Sequence, residues 1–392
     1  MKIKYVLFAI VVCSACTQRS PISEYSHPFP VETIVVDLDK FPDSEGLELR
    51  GVRQEQITND FWVQLETLPE CLLGNIDQMQ VFRNKIYVLD RSVANGLYVF
   101  DMKGKFLYQA GRKGKGPGEY YQISQFYIDS VKNAVTLLDA EMKKIHRYNL
   151  ENGRFLEAIQ LDKSYYVNSG IVFDSSAYAF DQIYVNPRKG KRQYHLNFFV
   201  GDSIFGFKPL KDGHFLPNKI PFTVSSGKVF YTPIRCDTIF EIDKSGIKRG
   251  IYIDFGVRAL PQKYLEMGFS KEDSKTLQRS KYAINLRNVV ETPRYFCFSV
   301  SLSSSGRFVL IDKLTKNTYT YFNFSALQPS FFLCAYGNYL VSERKNVVNF
   351  YNSIPENVQV QMDSLRTDEF KKIIREAKEG DNPALYFVDL NL

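Results

Sequence analysis

The sequence is poor in the residue types on which most metal and nucleophile chemistry depends. It contains 4 His, 6 Cys and 1 Trp among 392 residues. The His residues form neither an HExxH motif nor a close pair, so a zinc hydrolase is not indicated. A G-x-S-x-G elbow and a dense D-x-D-x-D loop are also absent. The sequence therefore predicts no catalytic residue, no metal site and no cofactor.

The sequence also lacks an apolar run of the roughly 20 residues that a membrane-spanning helix needs. A shorter apolar run, residues 5–12, follows Lys2 and Lys4 and precedes Ser14-Ala15-Cys16. This is the layout of a secretory signal. The small residues before the cysteine resemble a bacterial lipobox, which predicts a signal peptide over residues 1–15 and lipid attachment at Cys16. The alternative is a plain cleaved signal with an incidental cysteine.

The segment after Cys16 is polar and contains three prolines, so we expect residues 16–30 to be a flexible tether. In some lipoproteins of anaerobes, an acidic run at this position directs the protein to the cell surface. Residues 17–20 contain no acid. By that resemblance, a periplasm-facing membrane is expected rather than the cell surface.

The net charge and the cysteines exclude few further classes of function. The net charge is +7 and the basic residues are dispersed, so nucleic-acid binding is not predicted. Export permits disulfides, but pairing cannot be deduced from the spacing of the remaining cysteines, Cys71, Cys236, Cys297 and Cys334. Cys297 and Cys334 lie in aromatic, strand-like segments and are expected to be buried.

Strand and turn signals repeat with a period close to one propeller blade. Equivalent positions recur 48 or 49 residues apart, as in the pairs Asp90 and Asp139, Phe100 and Tyr148, and Gly104 and Gly153. A four-stranded blade cannot bury both of its faces alone, but a ring of blades can. We therefore predict an all-β fold, a six-bladed β-propeller with short helical insertions. Five or seven blades are the alternatives.

The propeller is expected to occupy residues 31–392 as one domain. Residues 384–390 are expected to close the ring by pairing with either residues 31–38 or residues 60–65. Polar composition predicts a helical insertion near residues 262–288. Apolar residues at helical spacing predict another near residues 363–379.

Several segments carry a family resemblance. A glycine-rich loop at residues 111–120, with the pattern G-x-G-P-G-E-Y, is the most specific of them. Weaker segments are residues 73–76, 231–240 and the Asp-Asn-Pro at 381–383. Together they resemble six-bladed β-propeller lipoproteins of Gram-negative gut anaerobes, which are similar in pattern to NHL-repeat propellers. The resemblance implies fold and envelope location more than any chemistry.

The glycine-rich loop is the candidate binding region. It lacks the GKS or GKT of a phosphate-binding loop and leads into a strand. One interpretation is a tight connection between blades. The other places Arg112, Lys113, Glu119 and Tyr120 on the rim of a ligand-binding face. The leading functional hypothesis is a monomeric, membrane-anchored binding or scaffold module for a protein, peptide or glycan. The alternative is a propeller enzyme (a lyase, lactonase or glycan-active hydrolase) with its site in the central channel.

Overall fold

The strand-and-turn pattern folds into six sheets of four or five strands and one short two-stranded sheet in the computed structural model of the chain. Four neighbouring strands of each larger sheet are antiparallel. The structure describes residues 22–39, 57–161, 167, 169–174, 177–181, 194–209, 221–265, 275–277, 279–302, 305–322, 332–344 and 368–392. The predicted signal peptide and Cys16 lie outside the described residues. No described helix is long and apolar enough to cross a membrane.

The strands in chain order are β1 (Ile22–Glu24), β2 (Val31–Val35), β3 (Ile57–Gln64), β4 (Gln78–Phe82), β5 (Lys85–Asp90), β6 (Gly96–Asp101), β7 (Phe106–Gln109), β8 (Arg112–Lys113), β9 (Glu119–Tyr120), β10 (Ile123–Asp129), β11 (Ala134–Asp139), β12 (Lys144–Asn149), β13 (Phe155–Gln160), β14 (Ser169–Val172), β15 (Ala177–Asp181), β16 (Tyr194–Val200), β17 (Ser203–Pro209), β18 (Phe222–Ser225), β19 (Lys228–Tyr231), β20 (Thr238–Asp243), β21 (Gly246–Asp254), β22 (Ala283–Glu291), β23 (Tyr295–Leu302), β24 (Ser305–Asp312), β25 (Thr318–Phe322), β26 (Cys334–Tyr336), β27 (Tyr339–Arg344) and β28 (Ala384–Leu390). The helices are α1 (Gln262–Leu265) and α2 (Asp368–Glu376).

Six blades follow one another around the ring. Blade 1 is β4-β5-β6-β7, blade 2 is β10-β11-β12-β13, and blade 3 is β14-β15-β16-β17 with β1 added at its edge. Blade 4 is β18-β19-β20-β21 with β2 added, blade 5 is β22-β23-β24-β25, and blade 6 is β26-β27-β28-β3. The first strands of neighbouring blades contact one another, so they form the inner edge of the ring. The structure thus confirms the six-bladed β-propeller.

The core consists of apolar layers between neighbouring blades, one for each of the six interfaces. Between blades 6 and 1, for example, Val63 and Leu385 pack with Met79 and Ile86. Burying a side chain of this size contributes about 1.5–3 kcal/mol. Because each interface needs both neighbouring blades, all six interfaces form only when the ring is closed.

Ring closure joins the two ends of the chain in blade 6. Strand β28 pairs with β27 on one side and with β3 on the other, from Ala384 opposite Gln64 to Leu390 opposite Ile57. The predicted pairing with residues 60–65 is therefore confirmed. The alternative pairing with residues 31–38 is wrong, because β2 is bound to blade 4.

A buried asparagine fixes this closure. The Asn382 side chain accepts a hydrogen bond from the Leu73 N–H (2.7 Å) and donates to the carbonyls of Glu66 (2.7 Å) and Cys71 (2.9 Å). Its backbone N–H donates to Thr67 Oγ1 at 2.9 Å. Asn382 thereby connects the segment before β28 to the segment that leads into blade 1.

The N-terminal segment differs from the predicted tether. Strand β1 pairs in parallel with β17 of blade 3, and β2 pairs in parallel with β21 of blade 4. Between them, Tyr25 and Phe29 pack against Phe207. Residues 22–30 are therefore held on the propeller, because their aromatic side chains fill the outer end of the interface between blades 3 and 4.

The two predicted helical insertions have different outcomes. The helix expected near residues 363–379 is present as α2, and its Ile373 and Ile374 pack against the apolar layer that contains Trp62. Residues 363–367 lie outside the described residues. In the insertion expected near 262–288, α1 is helical, but the prediction is wrong from Ala283 onward. There the chain forms β22, whose two register shifts hide the strand alternation.

Candidate functional site

Connections between blades lie at the face of the ring where the first strand of each blade begins. We call this side the loop face. The glycine-rich connection between blades 1 and 2, residues 110–121, lies here and is called the rim loop. Within it, β8 and β9 form a short parallel pair. Such connections commonly carry the binding residues of a propeller, since a rigid ring positions them.

The rim loop is held by its own polar groups. Arg112 Nε donates to Glu119 Oε1 at 2.8 Å, and the Gly116 N–H donates to Glu119 Oε2 at 2.9 Å. The hydrogen bond from Gly116 and the one from Arg112 lower the pKa of Glu119. Both carboxylate oxygens of Glu119 are therefore occupied within the loop.

Tyr120 anchors the same loop in the apolar core. Its side chain is fully buried between blades 1 and 2, and its hydroxyl accepts a hydrogen bond from Gln109 Nε2 at 3.2 Å. Gly118 has a φ of +71°, and a Cβ there would lie 2.7 Å from the Phe155 ring. Only glycine combines this conformation with so close an approach.

The rim loop thus presents only part of the predicted set to solvent. The Arg112 side chain is 80% exposed and Lys113 is exposed, whereas Glu119 is half-buried and Tyr120 is buried. Ligand binding by these four residues stays a prediction. Glu119 and Tyr120 hold the loop together with Nε of Arg112, while Lys113 and most of the Arg112 side chain face solvent.

Sequence reasoning missed Tyr121. Its ring is 44% exposed, and the Nζ atoms of Lys113 and Lys115 lie 5.9 and 5.8 Å from the ring centroid. Two lysines beside an exposed aromatic ring form a cationic, partly apolar surface. The signal was the consecutive pair Tyr120-Tyr121, because neighbouring residues in extended chain point to opposite sides.

The recurring aspartates at strand ends are structural. Asp90 is buried and accepts hydrogen bonds from the N–H groups of Gly74, Asn75 and Val93. Asp139 accepts in the same way from Tyr121 and Met142. Each carboxylate thus caps a turn within its blade and fixes the incoming connection, and the Asp139 bond positions Tyr121.

The inner edge of the ring is mostly uncharged. Gln78 of blade 1 exchanges hydrogen bonds with the Phe126 backbone of blade 2. Gln125 accepts from Ser169 and donates to the Phe222 carbonyl, which joins blades 2, 3 and 4. Within the described parts of the chain, no three His, Cys, Asp or Glu side chains are placed to hold a metal ion.

A second group of titratable side chains lies between blades 3 and 4. Lys208 Nζ donates to Cys236 Sγ at 3.6 Å. Burial raises the pKa of Asp237 to about 6, although nearby Lys208 acts in the opposite direction. Burial, together with Lys208, lowers the pKa of His195 to about 4. His195 is therefore neutral at neutral pH.

The remaining cysteines are free thiols in the structure. Cys71, Cys297 and Cys334 are buried, and Cys236 is half-buried. The expected burial of Cys297 and Cys334 is confirmed. Burial also raises the pKa of both thiols, which keeps them protonated at neutral pH.

Comparisons with known proteins identify the fold. The sequence model of DUF4934, a domain of unknown function, matches residues 55–389. A solved structure from Bacteroides fragilis, named as an exported protein, is 19% identical with a TM-score of 0.72 and covers 92% of this chain and 100% of its own. A DUF4221 protein from Bacteroides vulgatus is 7% identical with a TM-score of 0.46, covering 86% and 99%. No curated protein matches the sequence. The first structure supports the fold alone.

Proposed function

We propose that this chain, which belongs to the DUF4934 family, is a lipid-anchored binding or scaffold module of the cell envelope. Its partner is a protein, peptide or glycan that carries acidic groups. The partner docks on the loop face, at the surface formed by Arg112, Lys113, Lys115 and Tyr121. We call these four residues the rim surface.

The observation that carries this proposal is the construction of the rim loop. Glu119 and Tyr120 use their polar and apolar groups to hold the loop, so the lysines and Tyr121 project from a rigid base. A preorganised loop loses little conformational entropy when a partner binds. Exposed cations beside an aromatic ring favour an acidic partner that also offers an apolar or sugar face.

The lipid anchor is supported by the signal-like N-terminus and constrained by the position of β1. Residues 17–21 separate Cys16 from Ile22, the first residue of β1. Six extended residue steps span about 20 Å at most. A lipid on Cys16 would therefore hold the outer edge of blade 3 within that distance of a periplasm-facing membrane. Blades 1 and 2 would remain accessible, and the protein would act as a monomer.

The enzyme hypothesis has weaker support. A propeller lyase, lactonase or hydrolase needs acidic or histidine side chains that converge where substrate can bind. In the described first strands the acidic residues are Asp129, which binds its own turn, and Glu291, which pairs with Lys228 and Lys313. Both carboxylates are thus occupied by contacts within the protein.

The test is affinity purification of tagged full-length protein from crosslinked envelopes. Wild type is compared with a rim variant, Lys113→Glu combined with Tyr121→Ala, and with Cys16→Ala. The matched control is Lys132→Glu, an exposed lysine in the first turn of blade 2 at the opposite face. We expect one partner with wild type and the control, and at least a tenfold lower yield with the rim variant.

The two parts of the proposal fail separately. Equal recovery of the partner by the rim variant and wild type would overturn the rim surface. If Cys16→Ala remained in the membrane fraction and did not change the incorporation of a labelled fatty acid, the lipid anchor would be wrong. Recovery of no partner by any variant would contradict the scaffold function and favour a small ligand or a catalytic role.

A further inference from the structure

Among the described first strands of the blades, one charged side chain forms no contact that stabilises the fold. The described first strands of the six blades contain three charged residues, Asp129, Arg287 and Glu291. Asp129 accepts hydrogen bonds from two backbone N–H groups, and Glu291 forms ion pairs with two lysines. Arg287 has no hydrogen-bond or ion-pair partner in the parts of the chain that the structure describes.

Local backbone geometry sets Arg287 apart from its neighbours. The pairing of β22 with β23 shifts register on both sides of Arg287. Asn285 and Asn288, which flank it, have φ angles of 59° and 52°. Bulges of this kind re-aim side chains and are common beside binding sites. As a result, Leu286 and Val289 are buried while Arg287 is exposed.

Arg287 is exposed to solvent, although the protein around it partly desolvates its charge. Water reaches the side chain, yet burial by the surrounding protein lowers the pKa of its guanidinium. Arg287 thus combines access to solvent with partial desolvation by the protein, on the innermost strand of blade 5.

The strand register places further polar groups on the same side. Arg287 is opposite Ser299 in the β22–β23 pair, so both side chains lie on one face of blade 5. Cys297, two residues from Ser299, packs with Leu340 of blade 6, which identifies this face as the one toward blade 6. The Ser299 hydroxyl is buried and has no hydrogen-bond partner among the described residues.

A purely structural role does not explain this arrangement. A guanidinium that is partly desolvated without a counter-charge costs stability. A polar group that the fold leaves without a partner can be paired by water or by a ligand that supplies the counter-charge. Arginine also presents a planar set of donors that matches the two oxygens of a carboxylate or phosphate.

We propose that Arg287 binds an oxyanion, a carboxylate or phosphate group of a small ligand, at the inner edge of blade 5. The bulges at Asn285 and Asn288 aim the guanidinium into the space between the blades. This site lies on the opposite side of the ring from the rim surface of blades 1 and 2. It is therefore independent of the proposed scaffold function.

The test measures binding of two simple probes to the purified full-length protein. Inorganic phosphate and succinate are titrated by calorimetry at constant ionic strength, with chloride as the balancing anion. Wild type is expected to bind at least one of them with one site per chain. Arg287→Gln is expected to weaken that affinity at least tenfold, and Arg287→Lys less, since lysine keeps the charge without the planar donors.

Two controls separate this site from general charge effects. Arg279→Gln removes an exposed arginine just before β22 and is expected to bind like wild type. Binding of phosphate alone identifies a phosphorylated ligand, and binding of succinate alone identifies a carboxylate ligand. Failure of wild type to bind either probe, or equal binding by Arg287→Gln, would overturn the proposal.

Thermal stability provides a second test that needs no ligand. In chloride buffer, Arg287→Gln is expected to raise the melting temperature by about 2 °C, because it removes a partly desolvated charge that has no partner among the described residues. A structural arginine would give the opposite sign. A fall in melting temperature would therefore assign Arg287 to the fold and contradict a ligand-binding role.

Discussion

Two polar positions in this propeller are built in opposite ways. At the junction between blades 6 and 1, Asn382 uses its side-chain oxygen and both of its amide hydrogens in buried hydrogen bonds. On the inner strand of blade 5, Arg287 has no partner within the described structure. Asn382 stabilises the junction between the two ends of the propeller, whereas Arg287 does not contribute to it.

This difference in hydrogen bonding distinguishes polar side chains that stabilise the fold from those that are candidates for binding a ligand. Buried polar groups in native proteins are nearly always satisfied, because an unmet hydrogen bond is costly. The presence of a residue such as Asn382, whose side-chain hydrogen-bonding groups are all paired, is explained by its role in the fold. Arg287 is exposed, so water can pair it, and it remains open to a ligand that carries a negative charge. By this criterion Glu119 of the rim loop is also structural, although its sequence motif suggested binding.

The largest effect is expected from Asn382→Ala. The substitution leaves the Leu73 N–H and the Cys71 carbonyl without their partner, and it leaves the Glu66 carbonyl with only the hydrogen bond from Cys71 Sγ at 3.3 Å. Each unmet buried group costs about 1–3 kcal/mol, and partial relaxation should give a total of about 3–4 kcal/mol. Urea unfolding of the purified protein measures the loss.

The matched control for this junction is Asn149→Ala. Asn149 accepts hydrogen bonds from the Glu151 and Asn152 N–H groups in a turn that water can reach. Water can replace those bonds, so we expect a loss below about 1 kcal/mol. Similar losses for the two variants would mean that Asn382 does not hold the closure.

A slightly smaller effect is expected at the same junction from Gly104→Ala. Gly104 has a φ of +81°, and a Cβ there would lie 1.9 Å from the Gln64 carbonyl oxygen at the end of β3. Gly337 also has a positive φ (+56°), but nothing lies within 4 Å of its Cβ position. We expect a loss of about 2–3 kcal/mol for Gly104→Ala and about 1 kcal/mol for Gly337→Ala, the conformational part alone.

Denaturant unfolding of the two glycine variants isolates the contact between blades. The difference between their losses reports the close approach of blade 6 to the turn of blade 1. Equal losses would show that blade 6 can move away from Gly104 at no cost. In that case the junction would depend on Asn382 rather than on tight packing.

The sequence predicts the structure where a single local rule determines it, as the repeated turn chemistry does for the blades. The 49-residue period and the aspartates at strand ends predicted six blades, because each blade repeats the same turn chemistry. Residues 60–65 and 31–38 were both strand-like, however, and nothing local distinguishes an edge that closes the ring from one that lies on blade 4. That choice depends on contacts between distant parts of the chain.

The candidate site residues are harder to predict, because their exposure also depends on backbone irregularities and on packing between blades. Residues 283–288 were assigned to a helical insertion, since the bulges at Asn285 and Asn288 break the alternation of β22. The same bulges expose Arg287. The backbone feature that creates the proposed site is therefore also the one that makes β22 hard to recognise as a strand from its sequence. In the rim loop, the motif identified the segment, but which of Tyr120 and Tyr121 faces solvent depends on the packing of blade 2.

The smallest effect is expected from a substitution of Asp237. This residue lies between Asn382 and Arg287 in how far the fold compensates its polar group. Burial raises the pKa of its carboxyl to about 6, against about 3.9 in an unfolded chain. Lys208 opposes this shift, and Asp254 adds to it. Below about pH 3 the group is protonated in both states. As the pH rises to 6, the unfolded chain releases its proton first, so the free energy of unfolding falls.

Asp237→Asn removes this proton release, and the variant should gain stability relative to wild type as the pH rises from 4 to 6. Because solvent screens part of the effect, we expect a gain of about 1–2 kcal/mol that is constant above pH 6. Urea unfolding at pH 4, 5, 6 and 7 measures the difference between the two proteins. If that difference did not change with pH, Asp237 would titrate normally and would belong with the satisfied groups, like Asn382. A difference that grows over this interval would place it beside Arg287, as a charge for which the fold alone does not compensate.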